Sequence, residues 1–370
     1  MNVILRWLLD MLHRFVRTLD WPLLAALLAL MGIGLAVLHS ASGQNTAMVA
    51  SQASRYGVGL GAMWLLSRIP AIQLRRFTPL VYAASLLPLV AVLFVGTGRS
   101  GQHWLNLGVF YVQPAELMKL SLPMMAAWWL GQNAMPPRLG TVAVTLAIIG
   151  VPTGLVLLQP DFGTAILVAS GGAFALYLAG LSWWWFAGGA AIAAAGAPLA
   201  WLFYLQQYQK DRILTFLDPE SDPLGTGWNI IQSKIAIGSG GLRGQGWGDG
   251  SQSHLNYVPE HTTDFVFAVL SEEFGWFGVV VTLALYLFVV GRCLWIASEG
   301  RDGFSRLLVG SLGLAMFVYV IVNGGMISGL LPVVGVPMPL LSFGGTAAVS
   351  LLAGFGVVMA VASGNRQKRR

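Results

Sequence analysis

Apolar residues gather into long runs along this chain, each close to the length a helix needs to cross about 30 Å of hydrocarbon, roughly 20 residues. The runs fall at 21–39, 54–69, 78–96, 112–131, 140–158, 162–181, 184–206, 265–290, 306–327 and 344–363. They predict an all-α polytopic membrane protein with about ten transmembrane helices. Ahead of them, Val3, Ile4, Trp7, Leu8, Met11, Leu12, Phe15 and Leu19 recur at helical spacing opposite Arg6, Asp10, His13, Arg14 and Arg17. Residues 1–20 therefore predict an amphipathic helix lying in the membrane interface. A cleavable leader fits less well, because basic residues interrupt its apolar core. The apolar pattern breaks for a long stretch only at 208–264, a polar loop between helices 7 and 8. The chain divides accordingly into 1–20, helices 1–7 over 21–207, the loop 208–264, and helices 8–10 with a basic tail over 265–370.

Composition agrees: 56% of residues are hydrophobic, 10% are charged and the mean hydropathy is +0.70, whereas a soluble domain carries about 25% charged residues. The net charge of +6 does not point to nucleic acid, since most basic residues sit in short loops and tails between apolar runs. Ten crossings put both termini on one side. If that side is cytoplasmic it holds 14 of the 21 lysines and arginines, and four of the six outside lie in the long loop, where the positive-inside rule is weakest. Both termini are thus expected in the cytoplasm and 208–264 outside it. Cys293, the single cysteine, is silent about redox compartment.

Within the loop, Trp228, Ile231 and Ile235 predict a short amphipathic helix over 227–237, ended by Gly238. Gly238–Gly250 packs seven glycines into 13 residues. No phosphate-binding motif fits that run, so it is either backbone able to approach a ligand closely or a mobile loop. The Trp183-Trp184-Trp185 cluster reads as an interfacial anchor.

Charges inside apolar runs ask for a partner or a purpose, because each costs roughly 2.5–3.5 kcal/mol to insert. Glu116 and Lys119 face each other across one helical turn, as an ion pair or as the polar wall of a cavity. Asp161 precedes a helix, where a carboxylate also serves as a cap. Glu272 and Glu273 lie about two turns beyond Asp264. Asp264 stands at the membrane edge, with Glu260 and His261 just before it, either capping the eighth helix or carrying chemistry. No HExxH, CxxC or nucleophile elbow occurs, and five scattered histidines make no metal cluster. Residue chemistry alone names no reaction.

Several stretches, read together, resemble the SEDS family of bacterial cell-wall proteins in its rod-shape, elongation branch. They are Gln113 to Lys119 (QPAELMK), Gln159 to Thr164 (QPDFGT), Phe216 to Pro223 (FLDPESDP), Gln232 to Gly241 (QSKIAIGSGG), Pro259 to Val269 and Leu331 to Leu340 (LPVVGVPMPL). The resemblance covers nearly the whole chain. It implies a peptidoglycan glycosyltransferase of the bacterial inner membrane, polymerising lipid II on the outer face into β(1→4) glycan.

By that resemblance Asp264 is the catalytic carboxylate. One base on the attacking hydroxyl suffices for direct, inverting displacement of an α-linked pyrophosphate. Cations or donors must meet the leaving pyrophosphate. Lys234 and Arg243, flanking the helix-to-glycine segment, are the first choices, followed by Arg212, Lys210 and Arg99, while Lys119, Glu116 and Asp161 are supporting cavity residues. No dedicated metal site or cofactor is expected, although a divalent cation could share the role. The chain departs from the family at His103-Trp104, where Arg-Trp is usual, at Thr262, where histidine is common, and at Gln245, where lysine is common. The implied partners are lipid II, the growing undecaprenyl-linked glycan and a class B penicillin-binding protein, since no transpeptidase SxxK set appears here. Two other activities fit ten spans: a lipid II flippase, and a noncatalytic scaffold for the penicillin-binding protein.

Overall fold

The computed structural model describes residues 18–97, 103–106, 108, 111–221, 226–250 and 262–367. The expected amphipathic helix falls on residues 1–17, outside those described, as do Arg99, Asp222, Glu260 and His261. Twelve α-helices occur among the described residues: α1 (Trp21–Ala41), α2 (Thr46–Ser67), α3 (Ala71–Val95), α4 (Pro114–Leu130), α5 (Leu139–Leu157), α6 (Phe162–Leu178), α7 (Trp183–Phe203), α8 (Gln207–Leu217), α9 (Thr226–Ser239), α10 (Val266–Ser298), α11 (Gly303–Ile327) and α12 (Thr346–Gln367). A two-residue hairpin, β1 (Leu105–Asn106) paired antiparallel with β2 (Tyr111–Val112), departs from the all-α expectation.

Polar side chains start several helices by accepting backbone N–H groups that have no partner within the helix. Asp20 accepts from Leu23 at α1, Asn45 from Met48 at α2, Asp161 from Thr164 at α6 and Asp302 from Ser305 at α11. A helix lies over each of the ten apolar runs. Seven of them, α1, α3, α5, α7, α10, α11 and α12, are long and apolar enough to cross a membrane. The other three fall short for visible reasons: α2 carries Gln52 and Arg55, α4 has 17 residues and includes Glu116 and Lys119, and α6 has 17 residues.

The core has two parts. One joins α1, α2, α10, α11 and α12; the other joins α3, α4, α5 and α6 to the same α11 and α12. Small residues let the helices close on one another, as at Gly171 and Gly172 of α6, where a Cβ would strike Pro123 and Ile149. Helix α7 is the exception, with none of its residues buried. In lipid this costs little, because acyl chains solvate apolar side chains as well as a protein core does.

The polar loop is more structured than its composition suggests. It contains α8, which the sequence did not predict, and α9, which extends one residue beyond the expected stop at Gly238. The glycine-rich segment is held against the rest of the protein. It docks on α10 at the point where Gly275 adopts φ 62° and kinks the helix. Gln245 and Gly246 donate their N–H groups to the Glu272 and Glu273 carbonyls, and Trp276 and Phe277 donate to Gly241 and Leu242. Gly240 and Gly244 have no room for a Cβ against the α10 backbone, which is the physical reason for glycine there. Trp247 then fastens the segment to α1 by donating Nε1–H to Ala36 O at 2.9 Å.

Candidate functional site

Asp264 sits in the turn that leads into α10. The helix begins at Val266 with Phe265, not Asp264, in the cap position. The turn is tied from three directions. Phe343 N–H donates to Thr262 O at 2.9 Å. Asn323 of α11, fully buried, donates its Nδ2 hydrogens to Asp264 O at 2.8 Å and to Val336 O at 2.7 Å. Gly335, at φ 71°, lies so close that a Cβ on it would be 3.5 Å from Asp264 Oδ2.

Gly335 also belongs to the wall of a cavity of about 430 Å³ that is lined by other charged groups. Pro332, Val333 and Val334 continue that wall, and His103, Asp161, Gln209 and Arg212 face it. Arg212 reaches across from α8 to donate Nη1–H to Val333 O at 3.5 Å. Asp161 is committed to structure as well: Oδ1 caps α6 through Thr164 N–H at 2.9 Å and Oδ2 accepts from Gln113 Nε2 at 3.4 Å. The buried Nδ1 of His103 has no hydrogen-bond partner among the described residues.

The other expected site residues lie elsewhere. Lys119 and Glu116 form an ion pair at 2.6 Å in a separate, narrow cavity of about 40 Å³ between α4, α11 and α12. Ser350 donates to Glu116 Oε2 at 2.8 Å, and Lys119 Nζ lies 5.2 Å from the centre of the Tyr319 ring. Lys234 is exposed on α9, its stem lying across Gly329. Arg243 borders an open groove with Leu242, Trp276, Phe277 and Val280. Neither lines the cavity beside Asp264, whereas Arg212 does. Glu272 and Glu273 are buried at the α10 kink, and Ser40 of α1 donates its hydroxyl to Glu273 Oε1. Among the described residues, no three His, Cys, Asp or Glu side chains converge on a point that could hold a metal.

Sequence reasoning did not single out Asn323, although the signal was available: a lone amide in a 25-residue apolar helix. Gly335 was visible only as part of a quoted motif. Its closeness to Asp264 depends on tertiary folding across more than 70 residues.

Comparison with known proteins covers almost all of this architecture. A family profile described as FTSW_RODA_SPOVE, Cell cycle protein, matches residues 20–367. The chain is 46% identical over 344 residues to the peptidoglycan glycosyltransferase MrdB of Escherichia coli K12, covering 93% of each chain. Among solved structures, a chain of a peptidoglycan synthase complex that coordinates polymerization and crosslinking superposes with a TM-score of 0.82, at 34% identity and with 94% and 98% of the two chains covered. The Rod shape determining protein RodA of Thermus thermophilus superposes with a TM-score of 0.72, at 29% identity and with 95% and 98% covered.

Proposed function

The chain belongs to the FTSW_RODA_SPOVE family of cell cycle proteins and is a multi-pass membrane peptidoglycan glycosyltransferase; from that premise we propose that Asp264 is its catalytic base and that Arg212 receives the leaving pyrophosphate. The observation that carries this reading is the shared wall at 332–335. It runs from Arg212 to Gly335, which stands beside the Asp264 carboxylate. The cation then borders a cavity large enough for sugar and phosphate groups to enter, and the base stands beside Gly335 at the end of its wall.

In the reaction, the 4-hydroxyl of the acceptor sugar gives its proton to Asp264 as its oxygen attacks the anomeric carbon of the donor. The bond from that carbon to the lipid-linked pyrophosphate breaks on the opposite face. The α-linked donor thus yields a β(1→4) linkage, with both bonding electrons leaving on the pyrophosphate. Arg212 suits that developing charge because its planar fork can bind two phosphate oxygens at once. Asn323 and Phe343 hold the turn, so the carboxylate meets the hydroxyl without reorganising. A divalent cation could accompany the pyrophosphate, and no step here passes through one.

The same reading sets ten helices across the bacterial inner membrane, termini in the cytoplasm, with the Asp264 cavity facing the periplasm. It supplies lipid II and the growing undecaprenyl-linked glycan as substrates, and a class B penicillin-binding protein as the crosslinking partner. The likeness to a chain of a synthase complex supports that pairing.

The test is polymerisation of lipid II by the purified chain with its partner in detergent, where no compartment exists for flipping. Asp264→Asn should lower the rate by about 10²–10⁴-fold, the range for removing a general base, with the partner still bound. Equal rates would remove Asp264 as the base. Absence of glycan from the well-folded native complex would favour the flippase or the scaffold.

A further inference from the structure

Arg55 is a cation near the catalytic turn to which the catalytic reading gives no task. It lies on α2, half-buried, and among the described residues no carboxylate pairs with it. Its guanidinium instead lies over the Phe343 ring, Cζ 4.3 Å from the ring centre. Phe343 is the residue whose N–H holds Thr262 O, two positions before Asp264. One turn before Arg55 on the same helix, the buried Gln52 fixes that neighbourhood: its Nε2 donates to Ser342 O at 3.4 Å and its Oε1 accepts from Gly344 N–H at 3.2 Å. Arg55 is thus fastened beside the 262–264 turn on the Phe343 side, while Gly335 and the Arg212 wall approach the same turn from the Asp264 side.

A guanidinium stacked on an aromatic face keeps its N–H groups, which lie in its own plane, available at the edge. Stacking therefore orients the fork without using its donors. A salt bridge would neutralise the charge, as Lys119 is neutralised by Glu116. The reaction supplies an anion with more oxygens than Arg212 alone can meet, because both donor and acceptor are lipid-linked pyrophosphates.

We infer that Arg55 is a second pyrophosphate-binding residue, gripping a lipid-linked pyrophosphate on the side of the catalytic turn opposite Arg212. The inference rests on the transferase reading. The donor and the acceptor offer the same chemistry, and a phospholipid headgroup offers a weaker version of it, so the experiment separates them.

The full-length chain with its penicillin-binding partner is compared with Arg55→Leu, which still covers Phe343, and Arg55→Lys, which keeps the charge but loses the fork. KM for lipid II, kcat, and inhibition by a long-chain polyprenyl pyrophosphate are measured in neutral detergent. Arg55→Leu should raise KM about tenfold or more and weaken inhibition by a similar factor, as expected for losing charge-assisted hydrogen bonds. The kcat should stay within about threefold, since the turn itself is tied by Asn323 and Phe343. Arg55→Lys should fall between. With a preformed glycan primer, a rise confined to KM for the primer assigns Arg55 to the donor, and one confined to lipid II assigns it to the acceptor.

A loss of kcat at native KM would mean that Arg55 only supports the turn through Phe343, and would overturn the inference. So would kinetics that match the native protein in neutral detergent and weaken only in vesicles containing phosphatidylglycerol, the mark of a headgroup anchor. If Arg55→Leu fails to assemble with the partner, Arg55→Lys decides by the same measurements. Should the native complex make no glycan, the transferase reading fails first; equilibrium binding of the polyprenyl pyrophosphate then tests Arg55 by itself, and equal binding by native and Leu variants overturns the proposal.

Discussion

Two cavities in this protein each bring a cation and carboxylates to one place, and they are arranged in opposite ways. Between α4, α11 and α12, Lys119 and Glu116 touch at 2.6 Å, Ser350 occupies the second carboxylate oxygen, and about 40 Å³ remains. Around the 332–335 wall, Arg212 and Asp161 border about 430 Å³, and Asp264 stands next to Gly335 at the end of that wall. In the first cavity the charges satisfy one another and the helices close over them. In the second they are held by backbone ties and caps at the edges of an open volume. Ionisable side chains in a membrane protein are therefore not equivalent pointers to chemistry, because a self-satisfied pair locks helices while separated charges leave room for a ligand.

That contrast is broken most forcefully at Lys119. Lys119→Met leaves Glu116 buried with only Ser350 for company, and removing one partner of a buried ion pair costs about 3–5 kcal/mol. The thermal midpoint of the purified protein should fall sharply. The double variant Glu116→Gln with Lys119→Met should recover most of the loss, since no unpaired charge is then buried. If the double variant is as unstable as the single one, the pair does more than neutralise itself, and the small cavity has to be counted with the substrate path.

Arg212 tests the other half of the comparison. It is exposed and its bond to Val333 O is long at 3.5 Å, so Arg212→Ala should leave the midpoint nearly unchanged. Polymerisation at low lipid II should fall roughly tenfold or more, through KM, as charge-assisted contacts to phosphate are lost. A lowered midpoint with native KM would make Arg212 a strut for the 332–335 wall rather than a ligand of the substrate.

Much of the fold could be read from sequence because a bilayer imposes its own length on apolar helices: a helix lies over every predicted run, including α7, none of whose residues is buried. What could not be read was how polar backbone is used. The glycines at 240–246 looked like a loop and are a docking strip, because the kink at Gly275 that receives them is set by a positive φ that leaves no mark on hydropathy. α8 was missed because it is short and polar on average, with Gln207, Gln209, Lys210, Asp211 and Arg212 ahead of the apolar residues Ile213, Leu214, Phe216 and Leu217. In the site, Asp264 and Arg212 were named from motif and charge, but the preference for Lys234 and Arg243 followed sequence proximity to the glycine segment. Folding carries Arg243 into a groove with Trp276 and Phe277 beside the α10 kink and lays Lys234 across Gly329, while Arg212 approaches a wall more than 100 residues away in sequence.

Asp161 gives the smallest and most discriminating effect, because it lines the open cavity while both its oxygens are engaged. As a cap of α6 it should be worth about 1 kcal/mol, and asparagine caps as well as aspartate does. Asp161→Asn should then keep the thermal midpoint of the native protein, and Asp161→Ala should lower it by a few degrees. If Asp161 only caps, lipid II turnover by the Asn variant will also match the native rate. A clear change in KM for the Asn variant at an unchanged midpoint would instead mean that its charge acts on what enters the cavity. A fall in KM would mark repulsion between this carboxylate and the pyrophosphate, and a rise would mark a cation or a sugar hydroxyl held there.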